Sequence, residues 1–178
     1  MTLEDKRKQI EKWSDEAAEF EYGKEVNLEK AFELYKKCAE YYDVDPGCED
    51  AAACLEDVGK FYYEGLGPVA LDYSEAIKWY EKALKANELD MHLVDLAEIY
   101  EHGWGTEVNL EKASEVYLHS RFVYHWKRAY NIYHTGKINN PAKENEIRYS
   151  ECKNNAIYFY DLLEKNIVSL SNIREGLL

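Results

Sequence analysis

The heptapeptide EVNLEKA occupies Glu25–Ala31 and returns letter for letter at Glu107–Ala113, 82 positions on, in a chain of 178 residues. A copied segment constrains the fold strongly. A chain that repeats itself at a fixed period stacks like units along an axis. Aligning on the final Ala uncovers further copies. Ala31 opens AFELYKKCA, Ala76 opens AIKWYEKAL, Ala113 opens ASEVYLHSR and Ala156 opens AIYFYDLLE, at spacings of 45, 37 and 43 residues. Each Ala is followed four residues later by an aromatic: Tyr35, Tyr80, Tyr117 and Tyr160. That spacing puts both on one face of a helix.

A second pattern precedes these helices. VGKFYYEGLG (58–67) and LAEIYEHGWG (96–105) share a small residue (Gly59, Ala97), a Tyr three later (Tyr62, Tyr100) and a glycine three beyond (Gly65, Gly103). A second glycine follows after two more residues (Gly67, Gly105). The small residue permits close helix approach, and the Tyr fills the seam. The first glycine ends a helix in the left-handed region, where a Cβ clashes; the second keeps the turn tight. Asn27, Asp72 and Asn109 stand where an N-cap opens the next helix. Each unit therefore reads as helix, Gly-rich turn, helix. First helices are predicted at about 6–22, 50–64, 90–102 and 124–135, and second helices at about 28–41, 73–86, 110–121 and 152–165. The outer copies are weaker. The first has Phe20 and Gly23 but Glu25 for the second glycine; the last has Tyr133 and Gly136, then a longer connection. Ile167, Leu170, Ile173 and Leu177 recur near the helical period and predict a closing helix.

On these residues, above all LAEIYEHGWGTEVNLEKASEVY and VGKFYYEGLGPVALDYSEAIKWYEKAL, the chain resembles the Sel1-like repeat family, a relative of the tetratricopeptide repeats. The resemblance extends loosely from about residue 10 to 165 and is best in the central units. It departs at Cys54 and His92, where the family usually has Ala, and at Pro68, which delays Val69 by one residue. It implies an all-α fold: a right-handed α-solenoid of about four antiparallel helix pairs with a C-terminal capping helix. One domain is expected over 1–178, with units near 6–45, 46–88, 89–122 and 123–165 and a cap at 166–178. Secreted family members with a disulfide in each repeat are known, and the cysteines here do not follow that scheme. Cys38, Cys48, Cys54 and Cys152 match no common zinc spacing and are too few to staple this length, so all are expected as small buried apolar residues.

Charge narrows the partners. The net charge is −13, unevenly spread: residues 1–111 hold 28 acids and 12 bases, and 112–178 hold 7 acids and 10 bases. Cys38–Gly59 and Ala86–Glu111 each carry seven acids and no Lys or Arg. Such a field repels nucleic acid and anionic lipid and attracts cationic partners. No apolar run approaches membrane-spanning length, and Glu4 and Asp5 interrupt any signal-like start. The expected setting is cytoplasmic.

No catalytic constellation is visible. HExxH, a phosphate-binding glycine loop and a nucleophile elbow are all missing from the sequence, and the glycine pairs lack the third glycine and preceding strand of a dinucleotide site. His92 and His102 lie ten residues apart on one predicted helix, too far to share a metal. The chain is expected not to be an enzyme and to hold no cofactor and no metal.

In the related tetratricopeptide pattern the first helices line a concave groove. Carried over by position, the groove candidates are Glu11, Ser14 and Glu21; then Glu56, Lys60 and Tyr63; then Val94, Glu98, Glu101 and His102; then Tyr124, Lys127, Asn131 and His134. Most tyrosines fall at seam positions and are expected in the core, whereas Tyr63, Tyr124 and the turn residue Trp104 are expected to be exposed. The function these features imply is a non-enzymatic protein- or peptide-binding module with an acidic groove. It suits an immunity or inhibitor protein neutralising a basic toxin or enzyme; the alternative is an adaptor assembling a signalling or envelope complex.

Overall fold

The computed structural model describes residues 2–86 and 93–119, together with 125, 128, 129, 131 and 132. The described elements are six α-helices and one 3₁₀ turn, with no strand among the described residues. They are α1 (Leu3–Tyr22), α2 (Leu28–Glu40), α3 (Glu49–Glu64), α4 (Tyr73–Lys85), α5 (Leu93–His102) and α6 (Leu110–His119), with the 3₁₀ turn at Tyr41–Asp43. The predicted helices correspond to these within a few residues. One displacement, of three residues, is at the start of α1. There Thr2 Oγ1 accepts from the Asp5 backbone N–H (3.1 Å) and Asp5 Oδ2 accepts from the Thr2 N–H (2.8 Å). This reciprocal cap satisfies two otherwise orphaned donors and starts the helix earlier than its apolar pattern alone suggests. The fourth helix pair and closing helix expected at 124–178 lie almost wholly outside the described residues.

The chain divides into two compact units, Met1–Asn109 and Leu110–Leu178. In the first, α1 packs on α2, α2 on α3, α3 on α4 and α4 on α5, while α1 also meets α3 and α3 meets α5. The first helices of successive repeats thus form one contiguous layer, as a helical-pair solenoid requires. Its core contains Tyr80, Phe61, Leu55, Leu96, Ile99 and Val58, all fully buried. Burying a Leu or Phe of this kind contributes roughly 1.5–3 kcal/mol. Gly59 is small for a physical reason: a Cβ there would come 2.7 Å from the Tyr80 ring. The seam tyrosines Tyr35, Tyr80 and Tyr100 are buried as expected, and Tyr62 is half-buried.

The turns repeat as closely as the helices. Asn27, Asp72 and Asn109 each donate their backbone N–H to the carbonyl of the preceding aromatic, Phe20, Tyr62 and Tyr100, at 2.7, 2.9 and 2.7 Å. Asn27 and Asp72 also cap α2 and α4 through their side chains. Both glycines of each pair are left-handed, with φ of 68° and 58° at Gly65 and Gly67 and 72° and 64° at Gly103 and Gly105. The second glycine does more than tighten the turn. A Cβ on Gly67 would stand 2.9 Å from Leu28 Cβ, and one on Gly105 would stand 2.9 Å from Tyr73 Cβ. Each turn is therefore seated on the start of the previous repeat's second helix. The first turn has no second helix before it in residues 2–24. Gly23 there is extended (φ −77°), and Glu25 takes the place of the second glycine.

Two cysteines depart from expectation. Cys38 of α2 and Cys54 of α3 are joined in a disulfide, with Cα atoms 6.0 Å apart, rather than packing as separate thiols. The two helices are direct neighbours, and the bonded positions face each other across that contact. Cys48 is a buried free thiol, and Cys152 lies outside the described residues.

In the second unit, α6 buries Ala113, Ser114, Val116 and Tyr117. Ser114 Oγ donates to the Leu110 carbonyl (2.8 Å). His125 and the Arg128 guanidinium lie 6.0 and 5.4 Å from the Tyr117 ring centre.

Candidate functional site

The layer α1–α3–α5 carries most of the sequence candidates, and it contains two junctions between repeats. Counting back from the turn glycines Gly23, Gly65 and Gly103 gives equivalent positions. Two back stand Glu21, Tyr63 and Glu101; one back stand Tyr22, Glu64 and His102; five back stand Ala18, Lys60 and Glu98.

At the α1/α3 junction, Lys60 Nζ pairs with Glu21 Oε1 at 2.5 Å, with the two side chains 9% and 3% exposed. Lys60 also donates to the Tyr22 hydroxyl, and its ammonium lies 4.9 Å from the centre of the Tyr22 ring. Tyr35 Oη donates to the other Glu21 oxygen, Oε2, at 3.1 Å. Burial alone pulls a lysine pKa down, but the hydrogen bonds from Lys60 to Glu21 and Tyr22 outweigh it and hold the ammonium above its usual value. Glu21, Lys60 and Glu56, expected to face an open groove, are therefore buried. Glu21 and Lys60 are consumed by each other. The reason is register between repeats: the partners are 39 residues apart in sequence and meet only when α1 and α3 stack.

The α3/α5 junction has the same geometry and different chemistry. Tyr63 Oη, at the Glu21 position, donates to Glu98 Oε2, at the Lys60 position, at 3.3 Å. Around this pair the rings of Tyr63, Tyr73, Trp104 and His102 converge. Trp104 stacks with His102 (4.8 Å, 20°) and with Tyr73 (5.2 Å, 27°), and Tyr63 meets Tyr73 edge-on at 5.6 Å. Tyr63, Tyr73, Trp104 and Glu98 are half-buried, and His102 is exposed. His102 Nδ1 lies 3.0 Å from the Glu98 carbonyl, which fixes the ring over the turn.

Beneath them Tyr80 Oη donates to Asp95 Oδ2 at 3.1 Å. Burial pushes the Asp95 carboxyl up to about 6; the Glu98 and Glu64 charges add to this, while the Tyr80 hydroxyl and Lys60 oppose it. Burial, together with the Asp95 and Glu98 charges, likewise holds the Tyr63 phenol above its ordinary range.

Thus Tyr63, Glu98, His102 and Trp104 come together in space. Trp104 is less exposed than expected because it is sandwiched in the stack. Val94 and Glu101 are half-buried on α5, Glu11 is exposed and Ser14 half-buried on α1, and Asn131 is exposed in the second unit. Tyr124, Lys127 and His134 lie outside the described residues. Sequence reading missed Tyr73 and Asp95. Tyr73 had a signal, since it occupies the position held by Leu28 and Leu110 in the other repeats. Among the described residues no group of His, Cys, Asp or Glu is arranged to hold a metal ion, and no helix is long and apolar enough to cross a membrane.

The Sel1 repeat family model matches residues 17–40, 52–88 and 93–113. A Sel1 repeat protein from Oxalobacter formigenes, known from its crystal structure, superposes with a TM-score of 0.59 at 20% identity. The match covers 71% of this chain and 50% of that one, so the chain corresponds to half of that protein's length. No curated protein matches the chain significantly. With three repeats matched and the solenoid stacking in place, residues 17–113 form an array of Sel1-like repeats. Sel1 repeats generally mediate protein–protein interaction.

Proposed function

We propose that the layer of first helices in residues 1–109 binds a protein partner through a basic surface, with the α3/α5 junction at the centre of the contact. One observation carries the reading. The rings of Tyr63, Tyr73, His102 and Trp104 gather around the Tyr63–Glu98 pair, and Glu98, His102 and Trp104 belong to a stretch, Ala86–Glu111, that supplies seven acids and no Lys or Arg. Half-buried aromatics beside carboxylates are the composition of a binding hot spot. The negative field around them speeds encounter with a cationic partner.

The specific role we favour is an inhibitor or immunity protein that neutralises a basic toxin or enzyme. An acidic binding surface can neutralise such a target by covering its basic face. The partner isolated with the protein from its native source should form a tight one-to-one complex. Its affinity should fall steeply as salt rises and drop at least about tenfold on combined Glu98→Lys and Glu101→Lys substitution. Loose binding of several partners would favour an adaptor instead. Affinity indifferent to both salt and charge reversal would reject the acidic surface altogether.

A further inference from the structure

The two junctions of the first-helix layer are built from the same three positions, and one of them displays a bound cation. At α1/α3 the positions hold Glu21, Tyr22 and Lys60, and the ammonium is gripped by a carboxylate, a tyrosine hydroxyl and a tyrosine ring. At α3/α5 the equivalent positions hold Tyr63, Glu64 and Glu98. A tyrosine and carboxylates are again present, and the lysine has been exchanged for a glutamate. The three positions sum to a charge of zero at the first junction and −2 at the second.

We infer that the α3/α5 junction is a receptor for one lysine or arginine side chain of a protein partner, which takes there the role that Lys60 takes at α1/α3. The inference rests on the protein-binding reading above and sharpens it to one side chain. The geometry supports such an occupant. Glu98 and the Tyr63 hydroxyl lie side by side at 3.3 Å, and both are half-buried rather than sealed. The rings of Tyr63, Tyr73 and His102 offer edges and faces to a cation or to the alkyl stem behind it. Asp95 lies below, within electrostatic reach of Glu98 and Glu64; burial does most to raise its carboxyl, and those two charges add to it. Partial shielding from water strengthens the attraction relative to an exposed carboxylate. The aromatic surroundings separate this place from the other acids among the described residues, most of which are exposed.

The test uses the intact protein and two small probes: Nα-acetyl-lysine amide and its uncharged isostere Nα-acetyl-norleucine amide. Binding is followed through the Trp104 indole N–H resonance, assigned with a Trp104→Phe variant. The lysine probe should shift that resonance saturably in about the millimolar range, and the norleucine probe should not. Glu98→Gln should weaken the lysine probe at least about fivefold, whereas Glu29→Gln, on the exposed face of α2, should leave it unchanged. Tyr63→Phe keeps the ring, removes the hydroxyl and should give an intermediate loss. The inference is overturned if the lysine probe gives no saturable shift, if norleucine matches it, or if Glu29→Gln weakens it as much as Glu98→Gln. In the last case a diffuse acidic field does the attracting, and the broader protein-binding reading still stands. Salt-insensitive binding of the natural partner would remove that broader reading as well.

Discussion

The α1/α3 and α3/α5 junctions are made by the same helix geometry and serve different ends. The first is closed: Glu21 and Lys60 neutralise each other away from water, Tyr35 and Tyr22 complete their hydrogen bonds, and the Cys38–Cys54 bond fastens α2 to α3 beside them. Arg7 on Asp45 (2.7 Å) and Lys82 on Asp43 (2.7 Å) add surface clasps from either side of the intervening loop. The second has Tyr63 and Glu98 at the matching positions, ringed by half-buried aromatics, and Ala83 where α2 has Cys38. Repeat proteins gain stability from each interface in turn. A junction sealed around an ion pair holds the stack together, and one that sets a half-buried carboxylate among aromatic rings presents a place to bind.

If the first junction is held by its ion pair, Lys60→Met should have the largest effect. It strands the Glu21 carboxylate in the interior and should cost about 3–5 kcal/mol in chemical denaturation. Glu21→Gln combined with Lys60→Met should recover most of that loss, because no unpaired charge remains. Opening the disulfide should come next. The bonded cysteines are 16 residues apart, and closing a loop of this size contributes about 3 kcal/mol through the unfolded chain. Comparing melting with and without reductant measures it. Cytosolic glutathione would hold the pair as thiols, so trapping thiols by alkylation at lysis also reads the compartment.

The turn that seats the second repeat on the first should follow in size. Gly67→Ala forces a left-handed Ala against Leu28 and should destabilise by about 2 kcal/mol. Glu25→Gly, in the first turn where the second glycine is absent, should change stability by less than about 1 kcal/mol.

Asp95 gives a pH signature of the second junction. Burial raises its carboxyl in the folded state to about 6, above the usual carboxylate range, so folding favours the protonated form. The stability this contributes is complete below about pH 4 and is lost as pH rises through about 6. Asp95→Asn, which keeps a hydrogen-bond acceptor for Tyr80, should therefore stabilise the protein at pH 7 by about 1–2 kcal/mol and have little effect at pH 4. Groups facing Asp95 are Tyr80 of α4, Lys60, Tyr63 and Glu64 of α3 and Glu98 of its own helix.

Much of this fold was legible in the letters because its signals are local. A cap needs Asn27 or Asp72 just before a helix, a left-handed turn needs Gly65 or Gly103 just after one, and a seam needs Tyr80 four residues from Ala76. The register between repeats is not local. Nothing in VGKFYYEG says that Lys60 will find Glu21 across the layer, or that Cys54 will face Cys38. The same limit explains the candidate site. Tyr63, Glu98, His102 and Trp104 could be placed on the right helices and turn, but Tyr73 and Asp95 join them only through stacking of α3, α4 and α5. Charge counts pointed to an acidic surface without distinguishing Glu98, beside an aromatic cluster, from Glu56, buried in α3.

The most direct measurement rebuilds the first junction at the second. Tyr63→Glu with Glu98→Lys would install a carboxylate and an ammonium at the positions of Glu21 and Lys60. The double variant should remain folded and should no longer shift the Trp104 resonance on addition of Nα-acetyl-lysine amide, because the junction then holds a lysine of its own. Undiminished binding of that probe to a folded double variant would show that the α3/α5 junction is not where a basic side chain is received.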